Sequence, residues 1–159
     1  MNRDPSGGLT FEVVAYDSPL AEELVAEVQL EYVRRYGTED GAAIEASEFA
    51  ERGGQFLVGS TADGVVAAMG GFRFHEPGVA EIKRMYVRES MRRRGLARAM
   101  LDELERRAAA AGFREVILNT GTEQPEAVAM YEGAGYRTIP GFGHYADAPL
   151  ALFYGKRVS

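Results

Sequence analysis

The 159-residue chain contains no cysteine. Disulfides, thiolate metal sites and a cysteine nucleophile are thereby excluded together. Histidine is scarce, with only His75 and His144, so no metal centre is expected. No run approaches the roughly 20 apolar residues that a bilayer span requires, and no membrane partner is expected. Residues 1–8 hold no apolar stretch; they read as a disordered lead-in rather than a secretion signal, with the cytoplasm as the expected compartment. Positive charge is lacking overall: the net charge is −6 and the pI about 5.0. A duplex nucleic-acid binder is usually basic, so no nucleic-acid partner is expected either. Neither a repeat nor a low-complexity tract interrupts residues 9–159, which read as one domain.

What is present suits a packed core, since 46% of the residues are hydrophobic. Residues 9–16 (LTFEVVAY) predict a first strand. Ser18 as N-cap and Pro19 at the first position open a helix whose Leu20, Leu24, Val28 and Tyr32 share a face, and Gly37 closes it. A shorter helix is expected over 41–50. Strands over 55–60 and 65–74 flank the Asp63-Gly64 turn. The turn His75-Glu76-Pro77-Gly78 leads into a strand over 79–87. Residues 95–111 predict a helix with Leu96, Met100, Leu104 and Ala108 on one stripe and Gly112 past its end. A short strand over 115–119, a helix from Pro125 to Gly133 and a last strand over 151–158 complete the chain. Hairpins first and alternating elements later imply an α/β (α+β) sheet, part antiparallel and part parallel.

Two places break local rules. In the strand over 79–87, regular alternation puts Ile82, Arg84 and Tyr86 on one face and Glu81, Lys83, Met85 and Val87 on the other. Its charges fit either a solvated edge strand or a site. Second, Arg92-Arg93-Arg94-Gly95-Leu96-Ala97 opens the long helix, where cations oppose the helix dipole. A bound anion reverses that sign, because free N–H groups, dipole and guanidinium groups then converge on it. Phosphate or pyrophosphate is the natural ligand; a solvated basic turn is the plain alternative. A P-loop is excluded, since no Gly-Lys-Ser/Thr follows.

The stretch from Ala80 to Tyr136 resembles the GNAT superfamily of acyl-CoA-dependent N-acyltransferases. The motif Arg/Gln-x-x-Gly-x-Gly/Ala is matched by Arg92 to Ala97, between a strand and an amphipathic helix. Downstream, Ala127-Val128-Ala129-Met130-Tyr131-Glu132-Gly133-Ala134-Gly135-Tyr136 is similar to the family's second block. The resemblance implies a mixed central sheet of about six to seven strands, splayed between two parallel strands and flanked by about four helices. It implies acetyl-CoA as donor co-substrate and no metal. The splay would come from a bulge in the strand over 79–87, with backbone groups of Met85, Tyr86 and Val87 pairing with pantetheine. Arg92, Arg93, Arg94, Gly95, Leu96, Ala97 and Arg98 would hold the pyrophosphate. The chain departs from the pattern at Arg93 and Ala97, where glycine is common, and at Gln124, where asparagine is common; Gln124 is still expected to reach the pantetheine arm.

The acceptor amine must be neutral to attack, yet only about one part in 10³ of a lysine-like amine is neutral at pH 7. By resemblance, Glu81 is the candidate base, with a surface carboxylate as the plain reading and His144 in reserve. Tyr131 matches the tyrosine that protonates the departing thiolate; packing on an amphipathic helix is its plain reading. Tyr32, Tyr36, Arg84 and His144 are expected on the acceptor side. Acidic residues there suit a cationic amine, whereas Arg73 and Arg84 in the cleft suit an acceptor with a carboxylate. The acceptor is a small-molecule or protein amine, and a homodimer is the expected assembly. A coenzyme A-binding sensor or interaction module without turnover is the alternative function.

Overall fold

Ser18 Oγ accepts the Ala21 N–H at 3.3 Å, and Pro19 follows it in the first turn of α1 (Pro19–Tyr36). Gly37, at φ 79, ends the helix by donating to the Val33 carbonyl. The computed structural model describes residues 6–159, so residues 1–5 of the expected lead-in lie outside the described residues. Ser6 to Gly8 form a turn, closed by the Leu9 N–H on the Ser6 carbonyl at 2.9 Å.

Seven strands follow in chain order: β1 (Thr10–Val13), β2 (Gln55–Ser60), β3 (Val66–Glu76), β4 (Val79–Val87), β5 (Glu115–Gly121), β6 (Arg137–Thr138) and β7 (Ala151–Arg157). Between them lie α2 (Leu96–Ala110) and α3 (Pro125–Gly133). The sheet runs β1-β2-β3-β4-β5-β7-β6, and only β4–β5 is parallel. The expected mixed sheet, splayed between two parallel strands, is therefore the observed one. β4 lies at its centre, which overturns the edge-strand reading: Glu81, Lys83 and Arg84 are all buried.

Two apolar layers hold the sheet. Ala21, Leu24 and Val28 of α1 pack with Phe49, Phe56, Val58, Met69 and Tyr86. Met100, Leu101, Leu104 and Ala108 of α2 pack with Leu57, Phe72, Ile82, Val116 and Leu118, and Tyr131 and Tyr136 join this cluster. Each such fully buried aliphatic side chain contributes about 1.5–3 kcal/mol.

Among the described residues three α-helices flank the sheet, against about four expected. The expected helix over 41–50 shrinks to one 3-10 turn, Ala46–Phe49. Asp40 Oδ1 captures the Ala42 N–H at 2.9 Å, which competes with a helical start. Glu45 and Glu48 then form a capping box that places the turn at Ala46. No helix among the described residues is long and apolar enough to cross a membrane.

Candidate active site

Pairing between β4 and β5 covers only Val79–Glu115, Ala80–Val116 and Glu81–Ile117. Beyond it the strands part. On the β3 side Met69 faces Tyr86 and Gly71 faces Lys83, so Gly70 alone stands opposite both Arg84 and Met85. This is a β-bulge, with Arg84 in the left-handed region at φ 60. Gly70 is fitted to it: a Cβ there would stand 2.9 Å from Leu104 Cδ1 and 3.1 Å from Met85 Cγ. The bulge also corrects the alternation read from the sequence. Ile82 packs in the α2 layer and Tyr86 in the α1 layer, so the two do not share a face.

A cleft of about 310 Å³ opens where the strands part. Ile82 to Met85 form one wall and Leu118 to Gly121 the other. Tyr32 and Tyr36 of α1, Asp40, Gln124, Tyr131 and Tyr145 complete its lining. Tyr36 donates to Gln124 Oε1 at 2.9 Å, tying α1 to the segment before α3.

Asp40 organises the polar end. Its Oδ2 lies 2.7 Å from Arg84 Nη1 and 3.7 Å from Lys83 Nζ, and its Oδ1 accepts from the Tyr145 hydroxyl at 2.7 Å. Gln29 fixes the Asp40 backbone by accepting its N–H at 2.8 Å and donating to its carbonyl at 3.3 Å. Burial opposes ionisation of Asp40, but Lys83, the Ala42 N–H, Tyr145 and Arg84 together hold its carboxyl below the usual range. Burial likewise lowers Lys83, against the opposing pull of Asp40 and Glu81. Arg84 is raised: burial is outweighed by its bond to the Tyr16 hydroxyl, at 3.2 Å, and by Asp40.

Burial pushes the Tyr131 hydroxyl far up, with Tyr32 adding to the shift. Burial also raises Tyr32, to about 12, against the lowering effect of Arg84. Both hydroxyls therefore stay protonated at neutral pH and can donate.

Of the residues singled out in the sequence, Tyr32, Tyr36, Arg84, Met85, Gln124 and Tyr131 meet at this cleft. Glu81 and His144 do not line it. The Glu81 carboxylate accepts Arg73 Nε and Nη2, each at 2.9 Å, and Arg73 also binds Glu48 at 2.8 Å. Arg73 is thereby kept out of the cleft lining as well. His144 is exposed, its ring 4.6 Å from that of Tyr145. In the sequence Lys83 stands out only as a charge that interrupts a strand, and nothing marks Asp40 as its neighbour. Spacing along the chain gives no sign that they meet.

The turn before α2 has anion-binding geometry. Arg93 and Gly95 are left-handed, at φ 65 and 74, and nothing lies within 4 Å of a Cβ built on Gly95. Among the described residues, the N–H groups of Leu96, Ala97 and Arg98 have no partner, nor do the Arg93 and Arg94 side chains. Neighbouring side chains, unlike these N–H and guanidinium groups, are already engaged or buried. The Arg92 guanidinium binds Glu31 at 2.6 Å and the Val87 carbonyl at 3.0 Å, which also explains a glutamate on the buried face of α1. Arg98 pairs with Asp102 at 3.0 Å, Leu96 is buried, and the Tyr86 hydroxyl donates to Glu27 at 3.2 Å. Backbone N–H groups and the two free guanidinium groups fit a pyrophosphate; Arg92 is already committed.

Comparison with known proteins agrees with this geometry. Residues 21–136 match the acetyltransferase (GNAT) family. An IAA acetyltransferase of Azospirillum brasilense is 31% identical over 147 residues, spanning 90% of this chain and 95% of its own. Human N-acetyltransferase 8 is 32% identical over 111 residues, 67% of this chain and 49% of its own length. Among solved structures, a Klebsiella pneumoniae protein assigned to the acyl-CoA N-acyltransferases superposes with a TM-score of 0.80 at 24% identity, over 96% of this chain and 99% of its own. The strand splay, the turn before α2 and the matched segment place the chain in one group: it belongs to the GNAT family of acetyltransferases.

Proposed function

We propose that the protein moves an acetyl group from acetyl-coenzyme A to an amine by direct attack, with donor and acceptor bound together. The observation that carries this reading is the parting of β4 from β5. It leaves the Ile82–Met85 backbone without a strand partner on that side, beside a cleft that Tyr131 also lines. A pantetheine arm fits that edge as an added strand would, and the turn before α2 fits the pyrophosphate.

In this reading the donor supplies the activated thioester. The amine nitrogen bonds to the carbonyl carbon as the carbon–sulfur bond breaks. Sulfur takes a proton from the Tyr131 hydroxyl, and the proton shed by nitrogen restores Tyr131 through water. Burial suits Tyr131 to donation, since its hydroxyl does not ionise at neutral pH. Glu81 is given a positioning part: through Arg73 it ties β4 to the Ala43 carbonyl and to Glu48.

Thiol release from acetyl-coenzyme A with a panel of amines tests the reading. Amine-dependent release with matching N-acetyl product supports it. Tight coenzyme A binding without turnover points instead to a sensor that has kept the fold.

A further inference from the structure

The chain has two lysines, Lys83 and Lys156. Lys156 binds Glu105 at 2.8 Å. Lys83 is differently served. Its side chain, 7% exposed, lines the cleft, and no described residue accepts a hydrogen bond from it. The nearest carboxylate oxygen, Asp40 Oδ2, is 3.7 Å away, beyond hydrogen-bond reach.

Asp40 is already engaged on both oxygens, by Arg84 on Oδ2 and by Tyr145 and the Ala42 N–H on Oδ1. Glu81 is held by Arg73. One carboxylate thus stands between two buried cations, and the donors of one cation are left over. The Lys83 ammonium, open to the cleft rather than sealed in the core, makes no hydrogen bond to a described residue. Burial of the rest of the side chain still depresses its proton affinity even with Asp40 and Glu81 nearby; Arg84 and Arg73 depress it further. The bulge makes the arrangement: in a regular strand Lys83 and Arg84 would point to opposite faces, whereas here both are turned toward Asp40, and only Arg84 bonds to it.

We propose that the acceptor is a small amine that also carries a carboxylate, and that this carboxylate docks on Lys83 with Arg84 beside it. The acceptor's amine then lies in the same cleft as Tyr131. This rests on the acetyl-transfer reading only in calling the ligand an acceptor; the docking of a carboxylate stands apart from turnover.

Calorimetry tests it with the standard α-amino acids, each paired with its carboxamide, titrated into the chain with and without coenzyme A. At least one acid binds about tenfold or more tightly than its amide, the effect of one charge-assisted hydrogen bond. Lys83→Met levels that pair, while Lys83→Arg keeps part of the preference. The wild-type comparison stands alone if a variant misfolds. Equal binding of acid and amide throughout, absence of binding, or a preference that survives in folded Lys83→Met overturns the proposal. An acid preference in a chain that does not bind coenzyme A supports carboxylate docking and defeats acetyl transfer. Acetylation of amides as readily as acids does the reverse.

Discussion

Asp40 Oδ2 lies 2.7 Å from Arg84 Nη1, a contact that joins the loop after α1 to the bulged residue of β4. Arg84 holds a left-handed backbone, which costs a residue of its kind about 1–3 kcal/mol. The ion pair and the Tyr16 hydroxyl offset that cost, so the bulge and the cleft depend on a partner 44 positions away.

Asp40→Asn removes the only carboxylate among the described residues that lies within 4.0 Å of both Lys83 and Arg84. Breaking a buried pair of this kind costs about 3–5 kcal/mol at neutral pH. Because folding lowers the Asp40 pKa, its stabilisation is fully present above the unfolded value of about 3.9 and is lost as pH falls through the lower folded value. Denaturant melts of parent and variant, compared from neutral pH downward, converge only in that acid range. A constant gap across the whole range contradicts the assignment.

Glu81→Gln separates a base from a positioning residue. With its carboxylate held by Arg73, the variant keeps the parent's pH–rate profile and loses less than about tenfold in kcat. A loss of about 10²–10⁴ that recovers at high pH, as expected for removal of a general base, returns Glu81 to the chemistry.

Gly95→Val puts a β-branched side chain at φ 74, where the backbone lies open to an anion. Acetyl-coenzyme A binding weakens by about tenfold or more in calorimetry, with far-UV circular dichroism nearly unchanged. Undiminished affinity in the folded variant removes the pyrophosphate site from this turn.

Much of the fold could be read directly from the sequence. Ser18-Pro19 and Gly37 bound α1 as their capping chemistry requires, and the connection over 61–65 that holds Asp63-Gly64 and the two-residue turn Pro77-Gly78 join the strands expected around them. Tyr131, Gly95 and Arg84 stood out through motif or misfit. What stayed hidden is non-local. A period of two along β4 cannot show a bulge that depends on Gly70 of the neighbouring strand, and the bulge decides which face each charge takes. Nor does the Ala-rich stretch after Asp40 reveal that the Asp40 side chain will hold its backbone out of a helix. Nor does spacing show that Glu81 is held by Arg73, which lies across a hairpin.

The central claim is that Tyr131 donates a proton to the departing sulfur while an amine attacks in the same cleft. Tyr131→Phe keeps the ring, its 5.6 Å packing against Tyr136 and its burial, and removes only the hydroxyl. The interaction strengthens as the carbon–sulfur bond breaks, so its loss falls on kcat more than on KM. The deciding measurement is steady-state kcat with saturating acetyl-coenzyme A and the best amine from the panel. A drop of about 10²-fold is expected, with coenzyme A affinity retained; turnover at the parent's rate makes Tyr131 a packing residue and not the acid.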